Sequence, residues 1–323
     1  MPRNYYIFRG SKIKRSQNTI FIETPEGKRV LPVNDVEQIF VFSELDFNTS
    51  FINFASQNGI LIHFFNYYGY YTGTFFPRER NLAGVINVKQ VQFYLDNEKR
   101  LNIAKLFVES SLHNMKRNLE KREGLENEIQ KMKDYILRVE SANDINTLMS
   151  IEANFKKLYY DCFEKITSWE FEKRSIRPPT NPLNAIISFG NSIVYSEVLK
   201  HIYQTPLNPA ISYLHEPSSR RFSLALDVAE IFKPILSDKI ILKLINLEII
   251  KKDHFMKELN FCYLNDEGRK LFVKKFEEQL EQTIFHRGLK RKIKYKNLIT
   301  LELYKIMKHI IEDKKYSPLK VWW

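Results

Sequence analysis

Tyr70-Tyr71-Thr72-Gly73-Thr74-Phe75-Phe76-Pro77 closes one kind of chain and opens another. Before that proline, β-branched and aromatic residues recur in short runs, the texture of strands. Thr19–Thr24 and residues 28–33 flank Pro25-Glu26-Gly27, a hairpin signature. Residues 37–42, 60–65 and 70–75 read as further strands, with a short helix between Asn48 and Gln57 that Gly59 ends. After Pro77 glycine is scarce, and Lys, Glu, Leu and Ile fill helix-length segments. The expected fold class is α+β. A small β-sandwich-like domain covers residues 1–80, a linker 81–87, and a larger all-helical domain 88–323.

Within that second domain, residues 88–120 and 123–141 are expected to pair as long antiparallel helices, broken near Arg122-Glu123-Gly124. Another helix runs over 144–167. Arg177-Pro178-Pro179-Thr180-Asn181-Pro182 cannot be helical and marks a loop. Helix resumes over 183–203, stops at Thr205-Pro206 and Asn208-Pro209, and resumes with Ser223 as N-cap. The helical C-terminus ends in Val321-Trp322-Trp323.

Lys and Arg number 50 against 38 Asp and Glu, an excess of 12 that favours polyanionic partners. Residues 1–80 hold nine basic and seven acidic side chains, which leaves 10 of the excess charges to residues 81–323. Nucleic acid is therefore expected on the C-terminal part. The two cysteines, Cys162 and Cys262, form no C-x-x-C, which excludes a zinc cluster or disulfide framework and fits a reducing cytoplasm. No run is apolar enough for a membrane span, and no signal peptide is read at the start.

Glu152 stands where a carboxylate is costly. Ile145, Leu148, Phe155, Tyr159, Cys162 and Ile166 make an apolar helical stripe, and Glu152 fills its gap. A buried carboxylate needs a cation, a proton or a ligand. His215, Asp227 and Glu230 offer company: the two acids share a helix face, and His215 precedes them in a loop bounded by Pro209 and Pro217. Oxygen donors with one imidazole suit Mg2+ or Mn2+, ions that assist phosphoryl chemistry. Lys156, Lys157, Arg220, Arg221 and Lys233 would hold phosphates around such an ion.

Each residue has a plainer reading. Glu152 could pair with a lysine or arginine across a helix interface, His215 could be a hydrogen-bonded structural histidine, and Asp227 could only orient His215 or a water. Glu197 and Glu216 read as solvated or helix-N-terminal charges. His63, in a strand, reads as structural, and His113, His201, His254, His286 and His309 have no acidic partners at telling spacings. The run 286–296 is either a solvated helix end or a phosphate contact through Arg287, Lys290, Arg291, Lys292 and Lys294. Trp322 and Trp323 either cap a core or stack on a partner.

The run Arg-Pro-Pro-Thr-Asn-Pro-Leu-Asn-Ala-Ile-Ile-Ser-Phe-Gly-Asn-Ser-Ile-Val-Tyr-Ser-Glu-Val (177–198) resembles the signature of the CRISPR-associated integrase family. So do Leu-Asn-Pro-Ala-Ile-Ser-Tyr-Leu-His-Glu-Pro (207–217), Phe-Ser-Leu-Ala-Leu-Asp-Val-Ala-Glu (222–230) and, in the β domain, Gly-Ile-Leu-Ile-His-Phe-Phe-Asn-Tyr-Tyr-Gly (59–69). The resemblance implies an enzyme that inserts new spacers into CRISPR arrays, a DNA 3′-hydroxyl attacking a phosphodiester of the repeat. It implies metal ligands at Glu152, His215 and Glu230, with Asp227 as the supporting acid. It further implies double-stranded DNA as partner, a homodimer through the β domain, and a small ferredoxin-like adaptation subunit. The chain departs from the family pattern at Ala153, Asn181 and Lys233, which touches loop contacts rather than ligands. The rival readings are a metal-dependent nuclease acting on branched or single-stranded DNA, and a non-catalytic DNA-binding scaffold.

Overall fold

The two-residue turn Pro25-Glu26 folds β3 (Thr19–Thr24) back on β4 (Gly27–Pro32), with Thr24 opposite Gly27. This hairpin belongs to a computed structural model that describes residues 2–78, 83–175, 178–217, 222–258, 261–312 and 314–322. The chain divides into two compact units, residues 1–82 and 83–323.

The first unit holds two four-stranded sheets. β2 (Ser11–Ser16) joins the hairpin and pairs in parallel with the short β6 (Leu45–Phe47), giving the order β4-β3-β2-β6. β1 (Arg3–Ile7), β5 (Val36–Val41), β7 (Leu61–Phe65) and β8 (Tyr71–Phe75) form the other in that order, parallel except for β8. Between β6 and β7 lies α1 (Thr49–Asn58), capped by the Asn48 side chain on Phe51 N and ended by Gly59 at φ +67°. Ile13, Ile20, Ile22 and Leu31 of one sheet meet Ile7, Ile39, Val41 and Ile62 of the other, with Phe51 and Phe54 of α1, in one core. His63 is structural: its ring bonds Gln38 at 2.8 Å and Thr74 at 2.7 Å.

In the second unit α2 (Gly84–Leu95) begins inside the stretch expected as linker. The single helix expected over 88–120 is two, because Asp96 is extended (φ −83°, ψ 103°) and turns its carboxylate onto Lys99 N, restarting the chain as α3 (Asn97–Leu119). Then come α4 (Glu126–Glu140), α5 (Ile145–Thr167), α6 (Pro182–Tyr203) and α7 (Ser223–Lys233). A turn of π-helix at Pro234–Asp238 leads into α8 (Lys239–Asn246).

The unit is not all-helical. β9 (Phe255–Glu258) pairs with β10 (Phe261–Leu264), and after α9 (Asp266–Glu281), β11 (Thr283–His286) pairs with β12 (Arg291–Lys294). Each of these strands spans only four residues, the shortest run in which alternation can be read. The last helix is α10 (Tyr295–Glu312).

The tail beyond it is extended and clamped: Ser110 donates to Leu319 O, Val321 N to Asn114, and Leu319 N to the buried Glu302. Among the described residues no helix is long and apolar enough to cross a membrane. Cys162 and Cys262 are buried and form no disulfide.

Candidate functional site

α5 forms because Asp144 caps it, its carboxylate accepting from Thr147 N at 2.8 Å, and because its apolar stripe has a core to meet. Leu148, Phe155, Tyr159, Cys162 and Phe163 are buried there, and Glu152 is buried with them. Opposite stands α7. Ser223 is not its side-chain cap: the hydroxyl donates instead to Ala210 O, which ties the helix start to the preceding loop. Asp227 and Glu230 are both buried on α7.

Asp227 is committed four times over. One oxygen accepts from Tyr213 N (2.7 Å) and Leu214 N (2.9 Å), the other from His215 N (3.0 Å), and the latter also meets His215 Nδ1 at 2.7 Å. It both shapes the loop and fixes the imidazole, which leaves Nε2 as the remaining ring donor. The loop is held from its other side by Gln90, which brackets Asn208, and by Arg100, which donates to Tyr213 O. Glu216 is exposed and accepts from Tyr94 and Arg100.

Lys156 lies between the two remaining carboxylates, 2.9 Å from Glu152 Oε1 and 2.7 Å from Glu230 Oε2. Glu152 and Glu230 keep only 7% and 6% of their side chains exposed, and Lys156 23%. Lys156 is expected on a phosphate; in this structure, its position four residues after Glu152 on one helix face brings it to the carboxylates. Lys233 likewise donates to Glu230. The Lys156–Glu152 contact is an ion pair by distance, without the direction of a well-formed hydrogen bond to Glu152 Oε1. Among the described residues no three acids, histidines or cysteines close into a donor cluster.

The charges follow from this arrangement. Burial works against the Glu230 carboxylate, but Lys156, Lys233 and His215 outweigh it and hold the group below the usual carboxylate range. Burial likewise opposes the Lys156 ammonium, and Glu152 and Glu230 more than compensate, raising it. His215 is raised as well: desolvation is outweighed by its bond to Asp227 and by the fields of Glu230 and Glu152. The chemistry on offer is two hard carboxylates drawn around a cation, with the His215 imidazole within their field.

Three buried acids escaped the sequence reading: Glu302, which holds the C-terminal tail, Glu197 and Asp238. Glu197, expected as solvated, is fully buried in α6 with Lys200 Nζ at 2.8 Å and His201 Nε2 at 3.1 Å; His201 therefore does have an acidic partner, at i−4. Burial is overcome by Lys200 and His201, so the Glu197 carboxyl is held well down. The signal was present: isolated charges at i, i+3 and i+4 in a helix apolar all round must neutralise one another.

Asp238 is fully buried in the π-turn, and neither oxygen has a hydrogen bond of good geometry. Burial pushes its carboxyl up to about 7 against the pull of Tyr159, Lys233 and Arg174. Its signal was an acid inside the apolar run Ile235-Leu236-Ser237-Asp238-Lys239-Ile240-Ile241-Leu242.

Of the basic residues, Lys157 is exposed, and Arg220 and Arg221 lie outside the described residues. Residues 286–294 form the tip and second strand of the β11–β12 hairpin, and Tyr295 and Lys296 open α10. Arg287, Lys290, Arg291 and Lys292 are exposed, with no ion pair among the described residues; Arg287 lies over the Trp322 ring at 5.4 Å. Lys294 and Lys296 are engaged by Glu281. Phe285 projects beside Lys292, its cross-strand partner.

A family profile described as "CRISPR associated protein Cas1" matches residues 5–278. The chain is 54% identical over 321 residues to "CRISPR-associated endonuclease Cas1 2" of Moorella thermoacetica, covering 99% of this chain and all of that one. It is 48% identical over 324 residues to "CRISPR-associated endonuclease Cas1 3" of Thermodesulfovibrio yellowstonii, covering 99% and 100%. Among solved structures it resembles a Cas1 protein from Thermotoga maritima with a TM-score of 0.91 and 41% identity, over 98% of this chain and all of that one.

Proposed function

The chain belongs to the Cas1 family of CRISPR-associated endonucleases, and we propose that it is a metal-dependent DNA integrase that inserts spacer DNA into a CRISPR array. The observation that carries the reading is the pair of buried carboxylates, Glu152 and Glu230, drawn around one cation within reach of the His215 field. The donor set fits a divalent ion by its chemistry: two buried carboxylates already drawn to a cation, and an imidazole whose other nitrogen is fixed. Glu152, His215 and Glu230 would hold it. Bound there, an ion of the Mg2+ or Mn2+ class polarises a phosphoryl oxygen and acidifies the attacking hydroxyl.

The chain's own groups do the rest. Asp227 keeps the imidazole aimed and its loop closed. Lys157, Lys233 and the hairpin cations Arg287, Lys290, Arg291 and Lys292 supply positive charge for the DNA backbone, with Lys294 behind them. Double-stranded DNA is the substrate. A DNA 3′-hydroxyl attacks a repeat phosphodiester, and the reverse reaction releases it. The β domain, residues 1–80, is the dimerisation element of a homodimer. A small ferredoxin-like adaptation subunit joins two such dimers.

Strand transfer tests the reading: a labelled duplex is incubated with supercoiled plasmid and Mg2+ or Mn2+. Joined product supports integration. Cleavage alone would make the protein a nuclease on branched or single-stranded DNA, and metal-independent binding alone a scaffold.

A further inference from the structure

Lys156 touches both carboxylates of the candidate centre, whereas Lys233 touches Glu230 alone. Its ammonium contacts Glu152 Oε1 and Glu230 Oε2, on the two carboxylates that would hold a divalent ion. A monovalent and a divalent cation compete for those carboxylates, because at such separations in a poorly hydrated site their repulsion is large. Lys156 nonetheless has somewhere to go. It is the most exposed of the three at 23%, it sits on a flexible four-carbon stem, and the carboxylates are its polar contacts here.

We infer that Lys156 is a displaceable counter-ion: it holds Glu152 and Glu230 together until a divalent cation takes their oxygens, then swings out onto a phosphate of the bound DNA. The inference rests on the reading of Glu152 and Glu230 as metal ligands. It explains why two buried acids can wait in register without an ion, since one ammonium offsets the mutual repulsion that would spread them. It also makes metal and DNA cooperative. A phosphate that accepts the outgoing ammonium favours the state that binds metal, and by linkage the metal favours DNA to the same degree. Lys156 is here a positioning residue rather than a catalytic one.

Calorimetry of Mn2+ binding to the full chain tests this, with and without a blunt DNA duplex, for wild type, Lys156→Met and Glu152→Ala. Methionine keeps the stem and removes the charge. Without DNA, Lys156→Met should bind Mn2+ at least about tenfold more tightly than wild type. The duplex should tighten Mn2+ binding by wild type about fivefold or more beyond any tightening it gives Lys156→Met. Metal-free Lys156→Met should melt below wild type and recover with Mn2+. If it folds only when loaded, competition with a chelator measures the same affinity. Mn2+ binding by Lys156→Met equal to or weaker than wild type, with Glu152→Ala still abolishing it, overturns the counter-ion and leaves the metal centre standing. Wild-type Mn2+ affinity in Glu152→Ala removes the metal centre, and the counter-ion with it.

Discussion

Asp227→Ala and Glu152→Ala remove one buried carboxylate each, yet the structure demands opposite effects on stability. Asp227 accepts from three backbone N–H groups and from the imidazole. Hydrogen bonds to a charged acceptor are worth about 1.5–3 kcal/mol each, and donors left buried keep their desolvation cost. Some of those donors will find water once the loop relaxes, so a net loss of about 4 kcal/mol is expected. At roughly 2–4 °C per kcal/mol for a unit of this size, Tm should fall by about 8–16 °C. Glu152 is different. Its Oε1 has no well-formed hydrogen bond, and removing it leaves Lys156 still paired with Glu230.

Losing the desolvated carboxylate and losing its ion pair nearly cancel, so Glu152→Ala should stay within about 1 kcal/mol of wild type. Thermal melts in EDTA, read by circular dichroism, make the comparison. Strand-transfer assays alongside should show joining abolished in both, with DNA binding by Glu152→Ala almost intact. A fall in Tm for Glu152→Ala as deep as for Asp227→Ala, with metal making no difference to wild type, would refute the reasoning. Glu152 would then be a structural ion pair.

Burial raises the Asp238 carboxyl to about 7, above its unfolded value of 3.8, so its contribution to stability is fully present below the unfolded value and lost as pH rises through the folded one. Asp238→Asn should therefore melt like wild type near pH 4 and increasingly above it up to about pH 7, levelling off beyond; a constant offset at every pH would contradict this. Because His215 holds its proton above its ordinary value, Mn2+ affinity should climb as pH rises through that value and then flatten, and calorimetry giving a flat profile would count against His215 as a ligand. Replacing Lys290, Arg291 and Lys292 together by alanine should weaken DNA binding and make the slope of log affinity against log salt shallower by roughly 3, as anisotropy titrations would show; an unchanged slope removes the hairpin from the DNA interface.

What could be read locally was legible in the sequence. The Pro25-Glu26-Gly27 turn, the Gly59 stop and the stripe that buries Glu152 all lie within a few residues of the features they determine, so composition and spacing suffice. The break at Asp96 and the β11–β12 hairpin were local too, but polar side chains carried them and apolar periodicity was silent.

The tertiary structure decided the identity of partners. Lys156 finds Glu230 across 74 positions of chain, and Asp227 collects backbone donors 12 to 14 residues before it. Glu197 and Asp238 were misread or missed because a charge in an apolar segment announces a need without naming what meets it. Periodicity determines which face of a helix is buried. Which charge meets another there depends on how distant helices are brought together, and that is a property of the packed chain rather than of any window along it.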